Sequence, residues 1–345
     1  METPEYRIGW REAMETATRV LERAGAPPAH ARIQADLLVE AEARGRSSHG
    51  LLRLPRVVER IRNGVADPRT RGAATWRGDA LLCVDGERGL GPVVAFAALD
   101  QIAERARRTG VAAAAIHHNN HLGMLALYAE RIAEQGQVLL AMTTSEALVH
   151  PWGGRRAMLG TNPVAIGVPA SPVPFVLDMA TSLVSMGQIH DHAHRQRPLP
   201  PGWALDELGD PTTDAARAKH GAIAPFGGAK GYALGLAFEV MIASLTASAL
   251  GTQVQGTLDS TLACNKGDVF IVMEPAPGGV GDAISAYLDA IRSCASADPD
   301  VPVAVPGDRA LRCRARSIDE GMLIAAQVWD RIRSLAGLSH DQEGI

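Results

Sequence analysis

A chain of 345 residues, 46% of them hydrophobic, has enough apolar surface to bury one large core or two smaller ones. Its net charge of −4, with both signs interspersed and only 4% aromatic residues, excludes the basic footprint and stacking platforms of a nucleic-acid binder. The four cysteines, Cys83, Cys264, Cys294 and Cys313, lie far apart with no CxxC pair, which excludes a zinc ribbon and a dense disulfide framework and points to a reducing cytoplasm.

In chain order, the acidic start Met1-Glu2-Thr3-Pro4-Glu5 carries no apolar segment of the kind a secretory leader needs. Trp10 to Ala24 reads as a helix, with Ala13, Val20 and Leu21 at helical spacing. Pro27-Pro28 punctuates before a second helix using Ile33, Leu37, Leu38 and Ala41. The run Arg44-Gly45-Arg46-Ser47-Ser48-His49-Gly50-Leu51-Leu52-Arg53 then places a hydroxyl, an imidazole and a guanidinium at the mouth of a third helix. If that helix starts near Ser48, His49 and Arg53 stand four residues apart and share one face. A hydroxyl can cap a helix, imidazole can move a proton near neutral pH, and guanidinium can clamp a carboxylate. The residues alone leave open whether this is a catalytic wall or a capped, solvated helix start. The third helix turns Leu51, Leu54, Val57, Val58 and Ile61 inward, with Arg53, Arg56 and Arg60 on another face, and ends at Asn63-Gly64; Pro55 in its early turns is able to shift its start.

From residue 80 the rhythm becomes α/β: strand Leu81 to Val84, helix Pro92 to Arg108, strand Val111 to Ile116, helix Leu122 to Glu134, strand Val138 to Thr143. Gly89-Leu90-Gly91-Pro92-Val93-Val94 sits where a dinucleotide fingerprint would. It fails as one, because Val94 replaces the third Gly or Ala and the next strand ends in His117-His118 rather than a ribose-binding acid. The run His117-His118-Asn119-Asn120-His121-Leu122-Gly123 lies at a strand-to-helix handover, a usual address of active sites. In an extended stretch His117 and His121 would share a side while His118 would not, and no carboxylate follows until Glu130, so no metal site is expected. A metal-dependent hydrolase built on the histidine runs is the alternative from another reaction class, and a non-catalytic ligand-binding protein a further one.

Further strands are expected at Val164 to Val168, Phe175 to Leu177 and Val269 to Met273, with a Gly/Pro-rich irregular region over 187–228. Within it, His190-Asp191-His192-Ala193-His194 alternates histidines on one side, a place for adventitious metal. Gly227-Gly228-Ala229-Lys230-Gly231 is no P-loop, yet it converges a helix N-terminus and a lysine; it reads either as an anion site or as a close-packed turn with Lys230 in water. Tyr232 to Leu250 is nearly long and apolar enough to span a membrane, but Glu239 at its middle and the missing basic flank favour a core helix. Helices at 280–293 and 318–335 complete the pattern.

Taken in order, Ser48-His49-Gly50-Leu51-Leu52-Arg53, Asn120-His121-Leu122-Gly123, Pro151-Trp152-Gly153-Gly154, Gly160-Thr161-Asn162-Pro163, Asp178-Met179-Ala180-Thr181-Ser182, Pro201-Gly202-Trp203-Ala204-Leu205-Asp206, Pro211-Thr212-Thr213-Asp214 and Gly228-Ala229-Lys230-Gly231 resemble the second type of malate/L-lactate dehydrogenase family. That family also contains L-sulfolactate, ureidoglycolate and 2,3-diketogulonate enzymes and a cyclic-imine reductase. The resemblance spans nearly the whole chain.

It implies an NAD- or NADP-dependent oxidoreductase of α/β class with a non-Rossmann, L-sulfolactate dehydrogenase-like fold. A mixed sheet is flanked by helices, a helical part (1–72) packs with 305–345, 73–304 binds the cofactor, and the assembly is a homodimer. Hydride moves between nicotinamide and the carbon beside the carboxylate of a small 2-hydroxy or 2-oxo acid, with a cyclic imine 2-carboxylate as the alternative substrate. By position, His49 and His121 are the two candidates for the proton carrier, Arg53 holds the substrate carboxylate and Ser48 assists. Ser145, the run Met179, Ala180, Thr181 and Ser182 continuing to Ser185, Lys230, and Gly307-Asp308-Arg309 match cofactor-contacting positions. Asp178 is placed to orient a histidine, meet an imine nitrogen, or simply cap the next turn. Thr144 departs from the asparagine often found there, and Thr257 to Asp268 matches the family pattern poorly.

Overall fold

The computed structural model describes residues 4–338; residues 1–3 of the expected leaderless start, and 339–345 of the segment expected to pack with the N-terminal part, lie outside the described residues. The chain opens with a strand that periodicity does not announce, β1 (Glu5–Ile8). α1 (Trp10–Arg23) forms because Ala13, Met14, Ala17, Val20 and Leu21 recur at helical spacing, and all are buried. Pro28 opens α2 (Pro28–Ala43) in the first turn, where its missing N–H leaves nothing unpaired.

The third helix does not begin near Ser48. Two tight 3-10 turns, Ser47–His49 and Leu51–Arg53, precede α3 (Leu54–Arg62), and an extended Gly50 separates them. Arg60, on the other face of α3, is buried, donating from Nε to Asn120 at 2.9 Å and from Nη1 to the Asp259 carbonyl at 2.7 Å.

Next come β2 (Ala73–Arg77), β3 (Leu81–Asp85), α4 (Gly91–Thr109), β4 (Val111–His117), α5 (Ala126–Glu134), β5 (Val138–Thr143), β6 (Val164–Val168) and β7 (Phe175–Met179). α5 starts later than Leu122 because Gly123, at φ 74°, bends the chain where an added Cβ would lie 2.0 Å from Leu37. The region 187–228 is not irregular throughout. It holds α6 (Met186–His194), β8 (Ala204–Leu205), β9 (Pro211–Thr212), α7 (Ala215–Ala218) and β10 (Ala222–Ile223). Ser185 and Gln188 form a reciprocal capping box that starts α6, so His190, His192 and His194 follow a helix and do not alternate along a strand.

α8 (Ala229–Thr246), β11 (Asp268–Met273) and α9 (Gly281–Arg292) follow. The helix expected over 318–335 is α10 (Asp308–Glu320), β12 (Met322–Ala325) and α11 (Ala326–Ala336). Gly321 stops α10 at φ 86°, and the next residues pair with β1, Ile8 opposite Met322.

Seven strands make one mixed sheet in the order β2-β3-β4-β11-β5-β6-β7. β3 and β4 run parallel, and the remaining neighbours are antiparallel. β11 inserts between β4 and β5, so the α/β rhythm does not produce a doubly wound parallel sheet and the non-Rossmann expectation holds. α4 and α5 cover one face, packing Leu99, Ile102, Tyr128 and Ile132 against Leu82, Ala114 and Phe270. α8 covers part of the other through Ile242 against Met142, Val164 and Val269. A separate core joins Ala13, Val20, Leu21 and Leu38 to Trp329 and Ile332 from the far end of the chain.

α8 is not a core helix. Gly231, Gly235, Glu239, Ile242, Ala243 and Thr246 are buried, whereas Leu234, Leu236, Val240, Met241 and Leu245 are exposed. No helix among the described residues is long and apolar enough to cross a membrane.

Candidate active site

The loop between α2 and α3 is shaped by Glu42. Its buried carboxylate accepts the Leu51 N–H at 2.8 Å, and a Cβ at Gly50 would stand 2.3 Å from the same oxygen. Burial pushes the Glu42 carboxyl above its ordinary value, and the Leu51 N–H works against that shift. Held this way, the two turns aim Ser48, His49 and Arg53 into one cleft of about 180 Å³ without the helical i,i+4 geometry the spacing suggested.

His121 enters the same cleft from the loop after β4, and its ring centroid lies 5.6 Å from that of His49. Its backbone is positioned by glycine: a Cβ on Gly91 would sit 2.2 Å from the His121 carbonyl oxygen. The Gly89-Leu90-Gly91 motif therefore serves close packing of α4 against this loop. Asn120, next to His121, donates to the Arg88 and Gly89 carbonyls at 2.7 and 2.9 Å, tying the loop to the same turn.

The two histidines differ in what stands behind them. The Ser48 hydroxyl lies 3.0 Å from His49 Nδ1, and a hydroxyl can donate or accept. His121 Nδ1 instead accepts the Gly123 backbone N–H at 2.9 Å, which leaves the proton of the neutral ring on Nε2. Burial pushes the His49 pKa down to about 3, helped by Arg53 and Arg46. His121 is driven well below its ordinary value by burial, then by Arg53 and His49. Both rings are neutral at pH 7.

Arg53 donates from Nε to the Ser48 carbonyl at 2.7 Å and from Nη1 to the Thr257 carbonyl at 3.5 Å. Burial, with Arg56 adding to it, pushes its pKa down to about 10, so it stays cationic at neutral pH. Among the described residues neither Arg53 nor Arg46 forms a salt bridge, and both line the cleft. An anion is the ligand this wall can hold.

Ser145, Ala180 and Ser182 line the opposite side, with the Ser145 hydroxyl accepting the Thr161 N–H at 2.9 Å. The 179–182 run, which leaves β7 at Met179, divides between core and cleft. Met179 packs into the core under α8, and Thr181 is buried, bonding the Thr161 carbonyl at 3.0 Å. Gly307, Asp308 and Arg309 lie elsewhere, in a second cavity of about 270 Å³ that meets the first at Arg46, Met124 and Asp178. Lys230 stands apart, exposed at the start of α8, where Gly231 is needed because a Cβ would lie 1.6 Å from the Phe226 carbonyl oxygen. The close-packed turn is what this chain's own fold displays there.

Asp178 lines both cavities and accepts the Ala126 N–H at 3.0 Å, so it caps α5 rather than the turn that follows it. Burial pushes its carboxyl above the usual range, opposed by Arg46 and the Ala126 N–H. Sequence reading overlooked Arg46, whose guanidinium reaches the Asp178 carbonyl at 3.3 Å, and Glu146, which accepts the Thr257 and Leu258 N–H groups at 2.7 and 2.9 Å. Arg46 was visible as a neighbour of Ser48. Glu146 and the 257–258 segment gave no local signal, although the poorly matching stretch begins there. Thr144 is buried against Gly267, not in the cleft. The expectation that no carboxylate attends the histidine run is also overturned, since Asp85 on the neighbouring strand reaches His118 at 3.2 Å.

Comparison with known proteins follows the same lines. The model of the malate/L-lactate dehydrogenase family matches residues 8–333. Malate/(S)-sulfolactate dehydrogenase of Methanothermus fervidus is 32% identical over 95% of this chain and 97% of its own length. Delta(1)-pyrroline-2-carboxylate reductase 1 of Burkholderia ambifaria is 33% identical over 94% of this chain and 96% of its own. A solved dehydrogenase from Sinorhizobium meliloti superposes with a TM-score of 0.93 at 49% identity, covering 97% of this chain and 99% of that one.

Proposed function

Because the chain belongs to the malate/L-lactate dehydrogenase family, we propose that this oxidoreductase interconverts a small 2-hydroxy acid and its 2-oxo acid with NAD or NADP. One observation carries the reading: a single cleft holds two neutral histidines beside an arginine that forms no salt bridge among the described residues. The hydrolase alternative falls away, since the family is one of oxidoreductases and, of the two histidine runs, only His121 lines the cleft.

The donor set fits a long, amphipathic, anionic cofactor. Hydroxyls of Ser145 and Ser182 with Ala180 stand at the substrate end, Arg46 lies at the neck, and Gly307, Asp308 and Arg309 join apolar Pro172, Leu288 and Leu311 at the far end. Bound there, nicotinamide supplies the hydride acceptor or donor. Arg53 clamps the substrate carboxylate and fixes the reacting carbon beside the histidines. His49 Nε2 takes the proton of the substrate hydroxyl while Nδ1–H donates to Ser48 Oγ, and returns it in the reverse direction. His121 Nε2–H donates a fixed hydrogen bond to the same oxygen. A protonated His121 would set its Nδ1–H against the Gly123 N–H, so it is unsuited to carry the proton.

A second reading, reduction of a cyclic imine 2-carboxylate, draws on Asp178, whose raised carboxyl lines the cleft and is able to supply a proton to an imine nitrogen. A panel crossing NADH and NADPH with 2-oxo acids and cyclic imines, read as loss of reduced-cofactor absorbance, separates the two. Silence across the panel overturns both. We place the enzyme in the cytoplasm on its four free thiols. We also assign the exposed apolar face of α8 to a homodimer, and we divide the chain into a helical part (1–72 with 305–345) and a cofactor-binding part (73–304), supported by the core that joins both chain ends.

A further inference from the structure

Outside the cleft, the parallel pair β3 and β4 ends with Asp85 directly opposite His117, so the two side chains stand on one face of the sheet. His118 follows, and continued strand alternation would turn it to the other face. It does not continue: His118 adopts φ 50°, a left-handed conformation uncommon for a residue with a Cβ, and its ring returns to Asp85. Backbone bonds hold this bend, the Gly86 N–H to the His117 carbonyl and the Arg88 N–H to the His118 carbonyl, both at 2.8 Å. Gly86 permits the approach, because a Cβ there would lie 2.9 Å from the His118 carbonyl oxygen.

The result is one carboxylate and two imidazoles whose ligand atoms all lie within 4.8 Å of one another. His118 Nδ1 is 3.2 Å from Asp85 Oδ1, and His117 Nε2 is 3.8 Å from Asp85 Oδ2. Ligand atoms around a tetrahedral zinc ion with bonds of 2.0–2.1 Å are separated by about 3.3 Å, so small side-chain shifts would bring these into place. The Glu87 N–H donates to Asp85 Oδ1 at 2.9 Å, an outer hydrogen bond that orients the carboxylate.

We propose that Asp85, His117 and His118 form a binding site for one first-row divalent transition-metal ion such as zinc or nickel, separate from the catalytic cleft. Two imidazoles favour such ions over magnesium or calcium. All three side chains are open to solvent on one side, which leaves water to complete the coordination. None lines either cavity, so the ion would bridge the ends of β3 and β4 without contact with substrate.

Calorimetric titration of the untagged full chain with zinc chloride tests the proposal. One equivalent is expected to bind, with affinity reduced about tenfold or more in both His118→Ala and Asp85→Asn. Turnover of both variants in chelator-treated buffer should match the parent. The His190→Ala/His192→Ala variant on α6 should bind as the parent does. Absence of saturable binding at one equivalent overturns the site, and so does undiminished affinity in the Asp85 and His118 variants. If His118→Ala fails to fold, His117→Gln takes its place beside Asp85→Asn. Metal should also raise the melting temperature of the parent by a few degrees at about a hundredfold excess over Kd, and of the Asp85→Asn protein much less.

Discussion

Which histidine carries the proton turns on the group behind each ring. The Ser48 hydroxyl tolerates both protonation states of His49, whereas the Gly123 N–H tolerates only the neutral, Nε2-protonated form of His121. His49→Ala should therefore lower turnover by about 10²- to 10⁴-fold, and His121→Ala by less, in steady-state assays. A larger loss at His121 would reverse the assignment. Arg53→Ala should raise KM by about 10- to 100-fold, the worth of a charge-assisted hydrogen bond to a carboxylate, with partial recovery in Arg53→Lys. An Arg53→Ala enzyme with unchanged KM would remove the clamp. With His49 as the proposed base and its pKa pushed down to about 3, hydroxy-acid oxidation should persist well below the ordinary histidine value of about 6.5 in a kcat/KM profile. Folding lowers the proton affinity of His49, so the unfolded chain binds more protons between about 6.5 and about 3. The stability this group contributes above 6.5 is lost as pH falls through that window, which denaturant midpoints on either side of 6.5 can follow.

Elements announced by local chemistry were legible: α1 and α4 from their apolar spacing, and the β3-α4-β4 unit from its rhythm. α6 was not, although Ser185 and Gln188 spell its capping box, because glycine and proline in the surrounding stretch masked it. The start of α3 moved because Gly50 and Glu42, side by side only in the fold, impose a break that i,i+4 spacing cannot express. Gly91 makes the same point. It resembled a failed phosphate fingerprint, and its actual task is to admit the His121 carbonyl. Gly91→Ala should cost about 1–3 kcal/mol of stability by overpacking, read from denaturant unfolding, and should lower turnover by displacing His121. Wild-type stability and activity in that variant would show that the loop relaxes freely.

At the scale of the molecule, α8 is apolar on every side but buried on only one, with Glu239 inside accepting Asn162 Nδ2 at 2.7 Å and the Gly160 N–H at 3.2 Å. The exposed side, Leu234, Leu236, Val240, Met241 and Leu245, is the surface assigned to a second copy. Val240→Glu should convert a dimer to a monomer in light scattering after size exclusion; a parent that is monomeric at micromolar concentration would refute the assignment. The sequence by itself determined the family and the class of reaction, and it offered Ser48, His49, Arg53 and His121 as candidates because they lie in short motifs whose chemistry is local. Only the tertiary structure brought them into one cleft. Arg46, Glu146 and Thr257 reach the cleft, and Asp85 reaches His118, from distant segments. A histidine's tautomer depends on the one group behind its ring, and periodicity carries no record of that contact.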